Sequence, residues 1–220
     1  MQTISTNICQ RTMYSRGIPV FQYKISYPCF HTTYNIAAAR TINQYYSQYA
    51  RKTEEYCRTI LFPQAADNAK YIPDNQPPFN SYQFLSEYQT TCNRDCIVSL
   101  YTDRYEYLGG AHGSTTRLSD TWNFKTCTRL TLEQFFPSDP SFTETIFQEI
   151  ESQISGRQKE TPSSYFDDYA VLLRKNFHPE NYYLDDNGIV IYYQQYDIAP
   201  YSTGIPTFSI PFQENFPTCV

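Results

Sequence analysis

Glycine is scarce in this chain, with seven among 220 residues, about half the usual share. Histidine is scarcer, at three. His31 and His178 stand in dissimilar contexts, which argues against a three-histidine zinc site. Charged residues make up 18%, with a net charge of −5, below the usual ~25% charged. The basic residues do not cluster, so no field for nucleic acid is expected. Apolar runs fall far short of the ~20 residues a membrane span needs. The start, Met1-Gln2-Thr3-Ile4-Ser5-Thr6-Asn7, has no basic segment followed by an apolar one, so no signal peptide is expected. As written, the chain reads as cytoplasmic. No cofactor is implied.

Seven cysteines (Cys9, Cys29, Cys57, Cys92, Cys96, Cys127 and Cys219) cannot all pair within one chain. Cys92 and Cys96 have C-x₃-C spacing, but no second pair and no nearby histidine, so no metal site is expected. Scattered, odd cysteines lean towards a reducing compartment. Tyrosine is abundant, at 22 residues. It suits half-buried strands, and also contact surfaces that need large area at low entropy cost.

The few glycines are unevenly spread. Gly109, Gly110 and Gly113 fall in Tyr107-Leu108-Gly109-Gly110-Ala111-His112-Gly113-Ser114. Such a cluster marks a backbone that needs φ > 0 or close approach at one place.

Residues 18–27 alternate as a first strand ended by Pro28. Residues 35–60 lack Gly and Pro and place Ile42, Tyr45, Tyr46, Tyr49, Tyr56 and Ile60 at helical spacing. They read as a long helix with Pro63 beyond its end. Residues 62–80 read as a loop or crossover. Strands follow at 81–90 and 96–108, joined by a turn at Asn93-Arg94-Asp95, and at 115–124. Thr131-x-x-Gln134 and Ser141-x-x-Glu144 fit capping boxes. They predict a short helix stopped by Pro137 and a second helix ending near Gly156. A third is predicted over 162–175. Residues 182–184 and 189–193 flank Asn187-Gly188, a hairpin signal. Phe208, Ile210 and Phe212 alternate in a last strand. The order predicts an α+β fold: a mostly antiparallel sheet built from hairpins, with a long N-terminal helix and three further helices packed on it. Two halves, 15–95 and 96–215, are expected to fold as one unit.

Several motifs occur together: Tyr23-x-Ile25-x-Tyr27-Pro28 before the long helix, the Gly109–Gly113 loop, Leu130-x-Leu132-x-x-Phe135-Phe136, Asn181-Tyr182-Tyr183-Leu184, and Tyr196-Asp197-Ile198-Ala199-Pro200-Tyr201-x-x-Gly204. In this order they resemble the extracytoplasmic domain of RsiV-type anti-sigma factors, a domain-of-unknown-function family. The same domain pair is appended to peptidoglycan deacetylases of the PdaC type. The resemblance covers about residues 18–213. It implies binding rather than catalysis, because such domains sense lysozyme directly through loops. It also implies an extracytoplasmic place. The residues present include no sigma-binding segment, no transmembrane helix and no deacetylase domain, so signalling and deacetylation do not carry over. The implied partner is a lysozyme-like protein or a peptidoglycan fragment, contacted by Gly110, Ala111, His112, Gly113, Ser114, Pro200 and Tyr201.

Catalytic readings weigh against this. His112 beside Ser114, with Asp103, Glu106 or Asp197, supplies the inventory of a hydrolase, yet no G-x-S-x-G turn marks an activated serine. The plainer role of His112 is to brace its loop by hydrogen bonds to backbone. Glu87, Asp103, Glu106 and Asp197 are expected to be solvated or salt-bridged rather than paired for glycoside chemistry.

Overall fold

The computed structural model describes residues 1–71, 79–137 and 139–212. Residues 72–78, within the expected crossover, and Cys219 lie outside the described residues. The fold is α+β, as expected. Strands β1 (Thr3–Ser15), β2 (Ile18–His31), β3 (Tyr82–Arg94), β4 (Ile97–Tyr107), β5 (Ser114–Asn123) and β6 (Thr128–Arg129) form one sheet in that order. Strands β7 (Tyr182–Leu184), β8 (Gly188–Tyr192) and β9 (Thr207–Pro211) form a second, antiparallel sheet. The chain divides into two compact units.

The N-terminal unit holds Thr3–Tyr88 and Thr102–Thr115. Its first hairpin turns at Arg16 and Gly17, whose φ values are 51° and 79°. Two successive positive φ angles make the tight turn that matches strand twist. Helix α1 (Ile36–Tyr56) starts on Asn35, whose side chain accepts the Ala38 N–H, satisfying one of the free donors of the first turn. Ala38, Ala39, Ile42, Tyr46, Ala50 and Thr53 form its buried stripe. The return from α1 brings β3 beside β2 in parallel, with Phe21 opposite Tyr82 and Tyr23 opposite Phe84. A parallel pair requires such a crossover. Phe21, Tyr23, Ile25, Tyr82 and Phe84 pack with Ala50, Cys57, Leu61 and Ala65 as this unit's core.

Three sequence expectations are corrected here. Strand β1 was not anticipated, because its thirteen residues are buried nowhere and show no apolar alternation. Pro28 does not end β2. It pairs with Thr6 and lies beyond Ile25, the last residue of the β2–β3 ladder, where a missing N–H is tolerated. The helix does not stop before Pro63: it widens into a π turn (Cys57–Leu61) and continues as α2 (Phe62–Asn68), with proline in the first turn. That position needs no proline N–H.

The C-terminal unit holds Met1–Gln2, Gln89–Tyr101 and Thr116–Val220. The β3–β4 turn has Asp95 at φ 53°. The Thr131 capping box forms, though on a 3₁₀ turn (Leu132–Phe135). Helix α3 (Phe142–Glu160) runs past Gly156 and buries Ile146, Phe147, Ile150 and Ile154. Ser141 makes no side-chain cap there. Asp139 instead accepts from the Ser141 N–H and hydroxyl and from the Thr145 hydroxyl, at 2.8–2.9 Å. The third helix, α4, covers only Tyr169–Lys175, because Ser163 takes φ 64° and the backbone before Tyr169 is not helical. At the β7–β8 turn Asp185 accepts the N–H groups of Asn187 and Gly188 at 2.8 Å. Leu184, Ile189, Ile191, Ile198, Phe208 and Ile210 are buried.

Candidate functional site

Each unit presents one of the two expected contact loops. In the N-terminal unit the glycine loop connects β4 to β5. Asn80 donates to the Tyr107 hydroxyl at 3.2 Å, and Tyr107 donates to the Gly110 carbonyl at 3.0 Å. Each glycine has its own reason. Gly109 (φ 89°) lies against the ring of Tyr82, whose hydroxyl is held by Asn68 at 2.6 Å. Gly110 (φ 95°) faces open space. Gly113 is needed for close approach, since an added Cβ would stand 2.5 Å from the Tyr105 ring.

His112 Nδ1 lies 3.0 Å from the Gly113 carbonyl. A carbonyl only accepts, so Nδ1 carries the proton and the ring braces the loop. Gly110, Ala111, His112 and Ser114 are exposed, while Gly113 is buried. Four of the five contact residues expected in this loop therefore face solvent, and Gly113 shapes the loop from beneath.

In the C-terminal unit the Tyr196–Gly204 segment is anchored at several points. Asp197 accepts the Gln194 N–H at 2.8 Å, and Asn176 donates to the Asp197 carbonyl at 2.7 Å. Burial pushes the Asp197 carboxyl above its ordinary range, against the pull of the Gln194 N–H. Ile198 and Ala199 are buried, and Phe166 N–H donates to the Ile198 carbonyl at 3.1 Å. Pro200 then opens a 3₁₀ turn led by Tyr201. Pro200 and Tyr201 are half-buried.

Tyr196 was not foreseen as a contact residue. It has φ 68°, its side chain is 54% exposed, and its ring centroid is 6.0 Å from that of Tyr201. A non-glycine residue at positive φ is uncommon, and this one lifts an aromatic ring to the surface beside a second. Only its place in the motif, just before the capping Asp197, hinted at this.

Arg117 on β5 was also missed. Its guanidinium carbon lies 3.7 Å from the Tyr101 ring centroid, 5.8 Å from that of Tyr192 and 6.0 Å from that of Tyr183. Gln194 clasps the Arg117 backbone in both directions, at 2.9 and 2.7 Å. The segment leading to Tyr196 is thereby tied to β5.

Glu87, Glu106 and Asp197, weighed for catalysis, have other employment. Glu87 pairs with Lys24 at 2.7 Å. Glu106 stands 3.6 Å from Arg104, which lies over the Phe84 ring. Asp197 caps its turn. Asp103 is half-buried on β4. Among the described residues no group of three or more His, Cys, Asp or Glu side chains is placed to hold a metal ion. Cys92 is a buried free thiol, so it does not bridge to Cys96. His31 lies exposed at the end of β2, and His178 lies 3.5 Å from Glu180. No helix among the described residues is long and apolar enough to cross a membrane.

The charge is uneven. The ranges of the C-terminal unit carry 15 acidic and 8 basic residues, those of the N-terminal unit 7 and 9. The whole net negative charge belongs to the C-terminal unit.

Comparison with known proteins divides the chain along similar lines. Residues 17–115 match the family model described as deacetylase PdaC, and residues 133–213 match that of a protein of unknown function, DUF3298. No curated protein matches. A DUF3298 family member from Bacteroides fragilis superposes with a TM-score of 0.70 at 21% identity, over 96% of this chain and 91% of that one. A DUF3298 family protein from Pseudomonas aeruginosa gives 0.55 at 17% identity, with the same coverage of each chain. At such identities the likeness shows the fold. The glycine loop falls within the first family match and the Tyr196–Gly204 segment within the second.

Proposed function

We propose that this chain is a non-catalytic binding module and that its partner is a basic, lysozyme-like protein met by the C-terminal unit. The observation that carries this reading is the concentration of acidic residues there, 15 against 8 basic. Complementary fields speed encounter and select partner sign. The Tyr196–Tyr201 pair on the same unit supplies aromatic contact area of the kind that anchors protein interfaces. Two further points favour binding over catalysis. Glu87 and Glu106 are engaged in ion pairs and Asp197 in a cap, and His112 Nδ1 is spent on its own loop. The RsiV-like resemblance of the sequence supplies the lysozyme identity.

Calorimetric titration with a c-type lysozyme tests the proposal. Binding with Kd below ~100 µM is expected, weakening as salt screens exposed charge. Tyr201→Ala should weaken it at least about tenfold, as for an aromatic anchor, and His112→Ala should change it less. No heat at ~100 µM lysozyme removes the partner. Heat with a soluble peptidoglycan fragment instead would replace the protein partner by glycan.

A further inference from the structure

Strand β1 stands at one end of the six-stranded sheet, and among the described residues it pairs as a strand with β2 alone. Roughly every second residue of an edge strand directs its N–H and C=O away from its neighbour, offering a template for another strand. Natural proteins usually blunt such an edge with lysines, prolines, inward charges or bulges. Thr3–Ser15 contains no proline, glycine, lysine or acidic residue, and its single charge is Arg11. Its one irregularity falls between Met13 and Tyr14. The eleven residues Thr3–Met13 therefore keep an unbroken register.

We propose that β1 is a self-association edge, pairing antiparallel with β1 of a second copy about a two-fold axis at Ile8. Ile8 is the midpoint of Thr3–Met13, so an axis there pairs the whole regular segment with itself. Every two-fold contact repeats the same patch on both copies. Arg11 then faces Ser5 of the second copy, and no like charges oppose each other, as cross-strand pairing requires. Ile8 is 57% exposed and meets its own symmetry mate across the axis.

The geometry also sets the strength. Eleven paired residues span ~36 Å at ~3.3 Å each. A strip ~10 Å deep along that length covers roughly 700 Å² over both copies, below the ~1,200 Å² of a stable interface. The dimer is thus expected to be weak and reversible, as interfaces below standard size are.

Sedimentation velocity of the full chain from ~1 to ~500 µM, with hydrogen exchange at both ends of that range, tests this. A concentration-dependent dimer with slowed exchange of β1 amides is expected. Ile8→Lys, which sets like charges across the axis, should raise Kd at least tenfold, and Gln10→Lys serves if that variant misfolds. A monomer throughout, a dimer without β1 protection, or an unchanged Kd in the folded lysine variant would overturn the proposal.

Discussion

Gly113 lies flat against the ring of Tyr105. A Cβ added there would sit 2.5 Å from two ring carbons and 2.6 Å from the Glu106 carbonyl oxygen. Backbone and ring would both have to move. Gly113→Ala should therefore lower stability by about 1–3 kcal/mol, the usual cost of forcing atoms into a packed site. Gly110→Ala meets no atoms but must hold φ 95°, a cost nearer ~1 kcal/mol. Urea melts of the two variants check the order, and equal losses would discard the close-approach reading.

Arg117 and Tyr101 should be coupled. A guanidinium flat over a ring within ~6 Å is worth about 0.5–2 kcal/mol as it is desolvated. Arg117→Ala, Tyr101→Leu and the double variant form a cycle whose coupling should fall in that range. Arg117→Lys should recover only part of it, because an ammonium cannot stack as a plane. A coupling near zero by thermal denaturation would mean that the contact is incidental.

The sequence made some of this legible and hid the rest for physical reasons. The Asn187-Gly188 turn, the β3–β4 hairpin and the α1 helix were readable because local chemistry decides them: a capping Asp185, a turn residue at φ 53°, a run without Gly or Pro. Of the face read at helical spacing, Ile42 and Tyr46 are buried but Tyr45 and Ile60 are exposed, and alanines complete the buried stripe. Strand β1 was not readable, since a strand with no fully buried residue needs no alternation. Its order comes from thirteen residues paired with β2, a tertiary fact. The continuation through Pro63 was hidden by the π turn, which resets the register just before the proline. In the candidate site, Gly109 and Gly110 do take positive φ, and the glycine loop's special backbone was visible in composition. The Arg117 and Tyr196 contacts were not, because Tyr101, Tyr183 and Tyr192 approach Arg117 only through folding.

The free thiols should divide by reactivity. Burial pushes Cys57 up to about 12 and Cys92 up to about 11. The thiolate is the reacting species, so at pH 8 these two should be almost inert in the folded chain. Cys29 and Cys127 are half-buried thiols outside any disulfide and should react first with an aromatic disulfide reagent. Mass-spectrometric mapping of labelled peptides, with and without denaturant, reads this directly. Rapid native labelling of Cys57 would show that the helix around the π turn opens readily.

Asp197 and Asp139 should give stability opposite slopes against pH. Burial raises the folded pKa of Asp197, so folding favours its protonated form. Its contribution is full below the unfolded value of about 3.9. It is lost as pH rises from there through the raised folded value. Hydrogen bonds from Thr145 and Ser141 lower the folded pKa of Asp139. Its contribution is present above about 3.9 and is lost as pH falls through the lowered value. Asp197→Asn keeps an oxygen able to accept the Gln194 N–H but removes the titration. It should flatten the decline in stability above pH ~4, whereas Asp139→Asn should flatten the loss below it. Denaturant midpoints of both variants between pH 2.5 and 7, set against the parent chain, distinguish the two carboxyls. A parent-like slope in Asp197→Asn would mean that its carboxyl is solvated in the folded state, and that Tyr196 is presented by the backbone contacts of the turn alone.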